Sequence, residues 1–374
     1  MDNRDIAESS VILHQNLYDQ IISKENLLIS WQEFKLGKGS KCDVQVFEHD
    51  LAENLFSLHN DLKNKTYRHG HYTSFYIHDP KLRHIHKSSV RDRVLHHAVM
   101  RMIEPIFEKN FIFDSYSSRE GKGTHKAVLR LKEFTWKLSK NNTKIVWALK
   151  CDVRKFFDSV DHQIIFELIK KKVSDPDTLW LLKNIIDSYP MRLDLRRKSR
   201  ERERERERER AEGSAFGRGT PLGNLTSQLF SNIYLNPLDQ FIKRDLKEKY
   251  YIRYADDFVI LSCDRDHLEN LIPILRSFLT DDLKLELHPD KIILQKWSQG
   301  IDFLGYVIFP YHTVLRTKTK QRMMRKIRNN CYLLKEGRMS REAFNQALQS
   351  YIGILKHCRS HVLRDKIETI VKEV

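Results

Sequence analysis

The stretch YIRYADDFVILSC, residues 251–263, constrains the fold most, because two adjacent aspartates interrupt a run of strand-forming residues. Aromatic and β-branched residues on both sides predict two short strands joined by a tight turn. Two carboxylates about 5 Å apart repel each other by roughly 3 kcal/mol at an effective dielectric constant of about 20. Partial burial of the hairpin raises that cost, so Asp256 and Asp257 predict a positively charged partner.

The composition indicates a polyanionic partner. The 374 residues include 66 Lys and Arg against 50 Asp and Glu, a formal net charge of +16. Nucleic-acid-binding proteins have this electrostatic signature, and basic proteins of membrane surfaces share it. No apolar run approaches 18 residues and the first residues lack a secretory pattern, so we expect a cytoplasmic protein without a membrane partner.

A third carboxylate, Asp152, stands where another predicted strand ends, in KIVWALKCDVRKFFDSV. Three carboxylates on two adjacent strands can hold two Mg²⁺ ions completed by water and phosphate oxygens. The five cysteines are scattered without a Cys-x-x-Cys pair, which indicates neither disulfides nor zinc. Oxygen-only ligation is therefore the predicted metal chemistry.

The order of helix and strand patterns predicts an α+β fold, with helical patterns at both ends of the chain. Apolar spacing predicts helices within residues 1–65, after Ser88 or Ser89, and from Thr124. Strands are predicted at HYTSFYIHD, at KLEL and in GIDFLGYVIF. The Arg/Glu run at 196–213 has no apolar face, which predicts a solvated arm or, alternatively, an RNA-backbone contact.

Several blocks together resemble one family of polymerases. YADD resembles the Tyr-x-Asp-Asp motif of reverse transcriptases, and CDVRKFFD resembles the companion aspartate motif of the same palm. SYSSREGKGTHKAV is similar to their fingers motif, TPLGNLTSQLFSNIYL to the motif after the first carboxylate strand, LELHPDK to the lysine-bearing fourth motif, and IDFLGYVI to the primer-grip hairpin. These blocks run collinearly from about residue 80 to 360. The resemblance implies an RNA-directed DNA polymerase shaped like a right hand, with fingers, an antiparallel-sheet palm and a helical thumb.

The resemblance also implies domain boundaries. We expect a helical N-terminal extension at 1–65, fingers at 66–146, a palm at 147–310 that contains the charged insertion 196–213, and a thumb at 311–374.

Catalytic roles follow from the same motifs. Asp152 and Asp256 would be the principal ligands of two Mg²⁺ ions, with Mn²⁺ able to substitute, and Asp257 a further ligand or a tuner of the site. The primer 3′-hydroxyl would attack the α-phosphorus of a deoxynucleoside triphosphate in line with departing pyrophosphate.

Other residues match the nucleotide-binding positions of the family. Phe157 falls where an aromatic ring excludes a 2′-hydroxyl, although it could instead be a core residue beside Phe156. Arg119 and Lys122 lie in the triphosphate-binding block, with plain surface charge as the alternative. Lys291 matches the lysine that protonates pyrophosphate, with a simple turn lysine equally consistent.

The thumb would follow the duplex backbone with basic residues. We expect these contacts from Lys318, Lys320, Arg322, Arg325, Lys326 and Arg328.

The stretch LGNLTSQ distinguishes subgroups of the family. Group II intron enzymes usually have Gln-Gly at its start and Ser-Pro at its end, whereas this chain has Leu222-Gly223 and Ser227-Gln228. The Ser-Gln form resembles the reverse transcriptases of diversity-generating retroelements, which copy a template-repeat RNA into cDNA with errors at adenines. That resemblance makes Leu222 and the predicted nucleotide-binding residues Gln228 and Arg119 candidates for adenine infidelity.

The expected partners are template RNA, primer and cDNA, deoxynucleoside triphosphates and a small basic helical accessory protein. An antiviral-defence or otherwise unclassified bacterial reverse transcriptase would share every catalytic residue. A non-enzymatic RNA-binding scaffold derived from a polymerase is a further alternative, although all three carboxylates are present.

Overall fold

The structure is a computed structural model that describes residues 16–78, 82–189 and 217–372. The Arg/Glu run lies outside the described residues, so the two expectations for it stay predictions. The described α-helices, in chain order, are α1 (Leu17–Ile22), α2 (Lys24–Lys35), α3 (Cys42–His49), α4 (Leu51–Lys63), α5 (Val90–Glu108), α6 (Thr124–Leu138), α7 (Phe156–Ser159), α8 (His162–Lys170), α9 (Pro176–Asp187), α10 (Leu225–Gln240), α11 (Arg265–Leu283), α12 (Thr317–Lys335), α13 (Arg341–Leu355) and α14 (His361–Lys372).

The described strands form antiparallel sheets. They are β1 (Thr73–His78), β2 (Leu82–Lys87), β3 (Trp147–Asp152), β4 (Tyr251–Tyr254), β5 (Asp257–Ser262), β6 (Ile293–Lys296), β7 (Ile301–Phe303), β8 (Tyr306–Ile308) and β9 (Thr313–Leu315). Mixed helices and antiparallel sheets confirm the predicted α+β class. Within the described part of the chain, every helix is too short or too polar to cross a membrane.

The chain divides into two compact units, each made of three segments. The first unit comprises Met1–Ile112, Val153–Phe241 and Arg276–Glu286, and the second comprises Phe113–Asp152, Ile242–Leu275 and Leu287–Val374. The division into extension, fingers, palm and thumb stays a prediction.

In the first unit, helix α5 packs against α2 and α10. It begins after Ser89, whose hydroxyl accepts a hydrogen bond from the Asp92 amide at 3.1 Å and so satisfies a free helix N–H. The predicted strand HYTSFYIHD is present as β1, which pairs with β2. Helix α10 passes through Pro237 without ending and leads directly into a short π-helix, Phe241–Asp245.

In the second unit, four strands form one antiparallel sheet in the order β4-β5-β3-β6. Helix α6 packs on β4 and β5 and begins at Thr124 as predicted. The prediction of a strand at KLEL is wrong, because only Leu287 makes a bridge there and the edge strand is β6 instead. The apolar residues of KLEL alternate because Leu285 and Leu287 are both buried. The segment nevertheless lacks the series of backbone hydrogen bonds to a neighbouring strand that defines a β-ladder.

A second sheet of the same unit has the order β7-β8-β9. Its first hairpin, predicted from GIDFLGYVIF, turns at Leu304 and Gly305, which have φ of 51° and 87° as in a type I′ turn. Helices α12, α13 and α14 share an apolar core with this sheet. The buried residues of this core include Phe303, Tyr306, Met323, Phe344 and Ile367.

Candidate active site

Strand register places two of the predicted carboxylates side by side. Asp152, the last residue of β3, is the direct partner of Asp257, the first residue of β5. Side chains of directly paired residues in an antiparallel ladder project to the same face. Tyr254 pairs with Asp257 on the other side, so Ala255 and Asp256 form the two-residue loop of the β4–β5 hairpin. The β4–β5 hairpin and its pairing with β3 thus bring all three aspartates to one end of the sheet.

A buried arginine supports the turn that bears Asp256. Ala255 has a φ of 52°, in the left-handed region, where a residue with a Cβ is strained by roughly 1 kcal/mol. The Arg253 side chain is fully buried and donates a hydrogen bond from its Nη1 to the Ala255 carbonyl at 3.0 Å. The guanidinium therefore holds the backbone of the strained turn from inside the protein.

The backbone of Arg253 also fixes the segment that leads to the predicted triphosphate-binding loop. Its amide donates to the Asp114 carbonyl, and its carbonyl accepts from the Tyr116 amide, both at 3.0 Å. The Arg119 guanidinium donates to the Ser115 carbonyl at 2.8 Å. The segment from Asp114 to Arg119 consequently lies beside β4, next to the hairpin with the aspartates.

Two lysines supply positive charge to the acidic cluster. Lys291 Nζ lies 2.5 Å from Asp152 Oδ1, and Lys150 Nζ lies 3.7 Å from Asp257 Oδ1. Lys291 stands at the end of a 3₁₀ turn whose first flanking residue, His288, donates its amide to the Asp152 carbonyl at 2.8 Å. Lys291 is thus in direct contact with one of the three predicted metal ligands, and its role as a proton donor stays a prediction.

The carboxylates remain an unfavourable group despite these lysines. Burial and the negative charge of Asp152 raise the pKa of Asp256 from 3.8 to about 6. Burial also raises the pKa of Asp257, an effect that the Lys150 charge opposes and the Asp152 carboxyl reinforces. Like charges that share a partly buried site favour protonation in this way. A cation bound at this cluster would offset the repulsion between the carboxylates.

The donor set fits a hard divalent cation, because it consists of carboxylate oxygens at the ends of paired strands and in the turn between them. Across the described ranges, no three Asp, Glu, His or Cys side chains are already gathered closely enough to hold a metal ion. Assignment of Asp152, Asp256 and Asp257 as ligands stays a prediction.

Lys122, the other residue predicted to bind the triphosphate, contacts a residue of its own loop. Its ammonium group donates to the Phe113 carbonyl at 2.8 Å and lies 3.4 Å from the centre of the Phe113 ring. The Gly123 amide closes the loop by donating to the Tyr116 carbonyl at 3.0 Å. Arg119 and Lys122 therefore belong to one folded loop of the second unit, and their binding role stays a prediction.

The predicted sugar gate, Phe157, lies in the first unit, half-buried at the second position of α7. Its ring packs edge-on against Phe156 at 5.4 Å, and Phe156 is the one of the two that is buried in the core. The Phe157 carbonyl accepts the amide of Thr220 at 2.7 Å, which joins it to the TPLGNLTSQ segment. Within that segment, Leu222 is half-buried and Gln228 is exposed on α10.

The predicted thumb residues lie on α12. The helix buries Met323, Ile327 and Cys331, which are four residues apart and therefore on one face. Five of the basic residues lie away from that face, with Arg322 half-buried and Lys318, Arg325, Lys326 and Arg328 exposed. Lys320, three residues before Met323, lies on the same side as the buried residues but is exposed in the first turn of the helix.

Reasoning from sequence missed two residues of this site, Lys150 and Arg253. A lysine two positions before Asp152 on a strand shares its face, and that spacing was the available signal. The sequence contains no comparable signal for the burial of Arg253, because an arginine beside an acidic turn is ordinarily expected at the protein surface.

Comparison with known proteins agrees with these motifs. The sequence profile of the family described as "Reverse transcriptase (RNA-dependent DNA polymerase)" matches residues 77–308, more than half of the chain. The chain is 27% identical over 278 residues to Protein YkfC of Escherichia coli (strain K12), which is 66% of this chain and 66% of that protein. It is 21% identical over an alignment of 423 residues to the Group II intron-encoded protein LtrA of Lactococcus lactis subsp. cremoris, covering 94% of this chain and 63% of LtrA.

Both curated relatives are longer than the part that this chain matches, which is about two thirds of each. A solved structure of apo telomerase from Candida tropicalis, truncated from its C-terminal domain, aligns with a TM-score of 0.44 and 13% identity over 66% of this chain and 55% of that chain.

Proposed function

The chain belongs to the reverse transcriptase (RNA-dependent DNA polymerase) family, and from that premise we propose that it synthesises DNA on an RNA template. The observation that carries the proposal is the direct pairing of Asp152 with Asp257 beside the Asp256 turn. A cluster of three carboxylates at one end of an antiparallel sheet suits nucleotidyl transfer.

In this reaction Asp152 and Asp256 would hold two Mg²⁺ or Mn²⁺ ions, with Asp257 beside them. Bound metal supplies the positive charge that ionises a 3′-hydroxyl and stabilises departing pyrophosphate. Lys291 would release its contact with Asp152 and give a proton to the pyrophosphate. Arg119 and Lys122 would bind the triphosphate once their present carbonyl partners are exchanged for phosphate oxygens.

Primer extension tests the proposal. Wild-type protein should extend a DNA primer on an RNA template with deoxynucleotides and Mg²⁺, and Asp256→Ala should abolish extension while RNA binding persists. Asp282→Ala is the matched control, because Asp282 is an exposed aspartate of α11. Undiminished synthesis by Asp256→Ala would refute the site.

For the subgroup, we propose a reverse transcriptase of a diversity-generating retroelement that copies a template-repeat RNA with errors at adenines. The Leu-Gly and Ser-Gln pairs of LGNLTSQ support this choice. Backbone hydrogen bonds hold this segment beside Phe157, the predicted sugar gate, and beside β2, so its residues are placed to act on an incoming nucleotide. A small basic helical accessory protein would be the partner of such an enzyme.

Sequencing of the cDNA tests the subgroup. Copies of a defined RNA with equal numbers of the four bases should show errors concentrated opposite adenine. A uniform error spectrum would favour the alternative, an antiviral-defence or unclassified bacterial reverse transcriptase with the same chemistry. Template and variable repeats beside the gene, with a small accessory gene, would separate the two on independent grounds.

A further inference from the structure

Lys150 is a charged residue in an unusual place. It lies two positions before Asp152 on β3, so both side chains project to the same face of the sheet. Only 16% of its side chain is exposed, whereas lysines are ordinarily solvated. The central position of β3, between β5 and β6, accounts for this burial.

The Lys150 ammonium group joins two parts of the second unit. It lies 3.7 Å from Asp257 Oδ1, and it donates a hydrogen bond to the backbone carbonyl of Asp302 at 3.1 Å. Asp302 is the central residue of β7 and pairs with Val307 of β8. One side chain therefore connects the acidic end of the catalytic sheet with the β7–β8 hairpin.

The Asp302 end of this connection is itself fixed. Arg316 Nε donates to Asp302 Oδ1 at 2.8 Å, and a second guanidinium nitrogen contacts the same oxygen. The Arg316 amide donates to the Gly305 carbonyl in the hairpin turn at 2.9 Å. With Asp302 anchored in this way, the Lys150 contact defines where the hairpin stands relative to Asp257.

We propose that Lys150 is a positioning residue that sets the distance between the Asp257 carboxylate and the β7–β8 hairpin, and thereby aligns a primer 3′-end with the acidic cluster. The inference rests on the proposed function, since only strand synthesis requires a 3′-hydroxyl at this place. An error of about 1 Å in such an alignment slows chemistry by about 100-fold.

Steady-state kinetics on a fixed primer-template give the first test. Lys150→Met keeps the aliphatic stem but removes the charge and the hydrogen bond, and it should lower kcat by about 10- to 100-fold with the KM for primer-template unchanged. Lys150→Arg keeps a charged donor and should recover a large part of kcat. Lys132→Met, at an exposed lysine of α6, is the control and should resemble wild type.

Titration with Mn²⁺ alone gives a second test that needs no polymerisation. Removing an ammonium group near Asp257 removes a charge that repels cations, so Lys150→Met should bind Mn²⁺ several-fold more tightly than wild type. Tighter metal binding together with slower chemistry is a combination that a general loss of packing would not produce. If Lys150→Met fails to fold, Lys150→Gln is measured in its place.

Either of two results would overturn the inference: an unchanged kcat in a folded Lys150→Met variant, or an Arg variant no better than Met combined with unchanged Mn²⁺ affinity. A wild-type protein that extends no primer would refute the proposed function instead. In that case tighter Mn²⁺ binding by Lys150→Met would still support, and unchanged binding would still refute, the action of Lys150 on Asp257.

Discussion

Asp152 and Asp257 are direct partners in the β3–β5 ladder, and each is approached by one lysine, Lys291 and Lys150 respectively. With Asp256 in the adjoining turn, three carboxylates face two ammonium groups. The cluster therefore keeps an excess of negative charge inside a partly buried site, and its protonation should be measurable as stability.

The metal-free protein should lose stability as this cluster ionises. The pKa of Asp256 is about 6 in the folded protein, because of burial and the Asp152 charge, against 3.8 ordinarily. The folded state then holds a proton that the unfolded chain releases, so the contribution is full below pH 3.8 and is lost as pH rises through about 6. Urea unfolding in EDTA should show this as a loss of up to about 1.4 kcal/mol per pH unit that is absent from Asp256→Asn.

The comparison between wild type and Asp256→Asn isolates this group from the other titrations of the protein. A difference in unfolding free energy that stays constant between pH 4 and 7 would contradict the raised pKa.

His96 should act in the opposite direction. Its side chain is fully buried in α5, and neither ring nitrogen has a hydrogen-bond partner among the described residues. Burial, with a smaller effect of His69, lowers the pKa of His96 from 6.5 to about 3. Its contribution is therefore complete above pH 6.5 and is lost as pH falls toward 3.

His96→Leu should remove that acid-induced loss and leave the unfolding free energy at pH 8 within about 1 kcal/mol of wild type, because no hydrogen bond is broken. His71→Leu, at an exposed histidine, is the control. An identical pH profile for His96→Leu and wild type would show that His96 keeps its ordinary pKa.

Phe157→Ala should admit ribonucleotides. The half-buried ring is predicted to meet the 2′-carbon of an incoming sugar, and alanine removes that steric limit. We expect the ratio of kcat/KM for ribonucleotide over deoxynucleotide to rise by about 10-fold or more, since steric discrimination of a small group is worth about 1–3 kcal/mol. Phe156→Ala should reduce stability instead, because Phe156 is the ring in the core. Unaltered sugar selectivity in Phe157→Ala would contradict the gate.

The basic side of α12 should govern the salt dependence of nucleic-acid binding. Replacing exposed Lys318, Arg325 and Arg328 together by Gln should flatten the plot of log affinity against log salt by about 0.7–0.9 for each phosphate that the variant no longer neutralises. Base preference should not change, because interactions with phosphates carry no sequence information. Lys171→Gln combined with Lys172→Gln is the control, and an equal effect of that pair would refute the assignment to α12.

The sequence predicted what depends on local patterns. One run of strand-forming residues ends at Asp152 and another flanks Asp256, which indicated strands with acidic ends. Ser89 and Thr124 indicated where two helices begin. The class of fold followed from those patterns and the family from the resemblance of the motif blocks, and both are confirmed.

The roles of Lys150 and Arg253 could not be predicted, because each depends on contacts with distant segments. Lys150 meets Asp302 only after two sheets have formed in the same unit. The burial of Arg253 depends on the pairing of its backbone with Asp114 and Tyr116. Register and packing between remote segments decide such contacts, and sequence periodicity reports neither.

The turn that ends at Lys291 is attached to Asp152 twice, through its main chain by the His288 amide and through the lysine side chain. Both links run to the last residue of β3 and lie inside one compact unit, so the acid and the ammonium group are held together by the local fold. What can part them is a stronger competitor for either charge, such as a cation for the acid or a phosphate for the amine. The pairing of Lys291 with Asp152 should therefore end only when a metal ion or a phosphate group arrives at the acidic cluster.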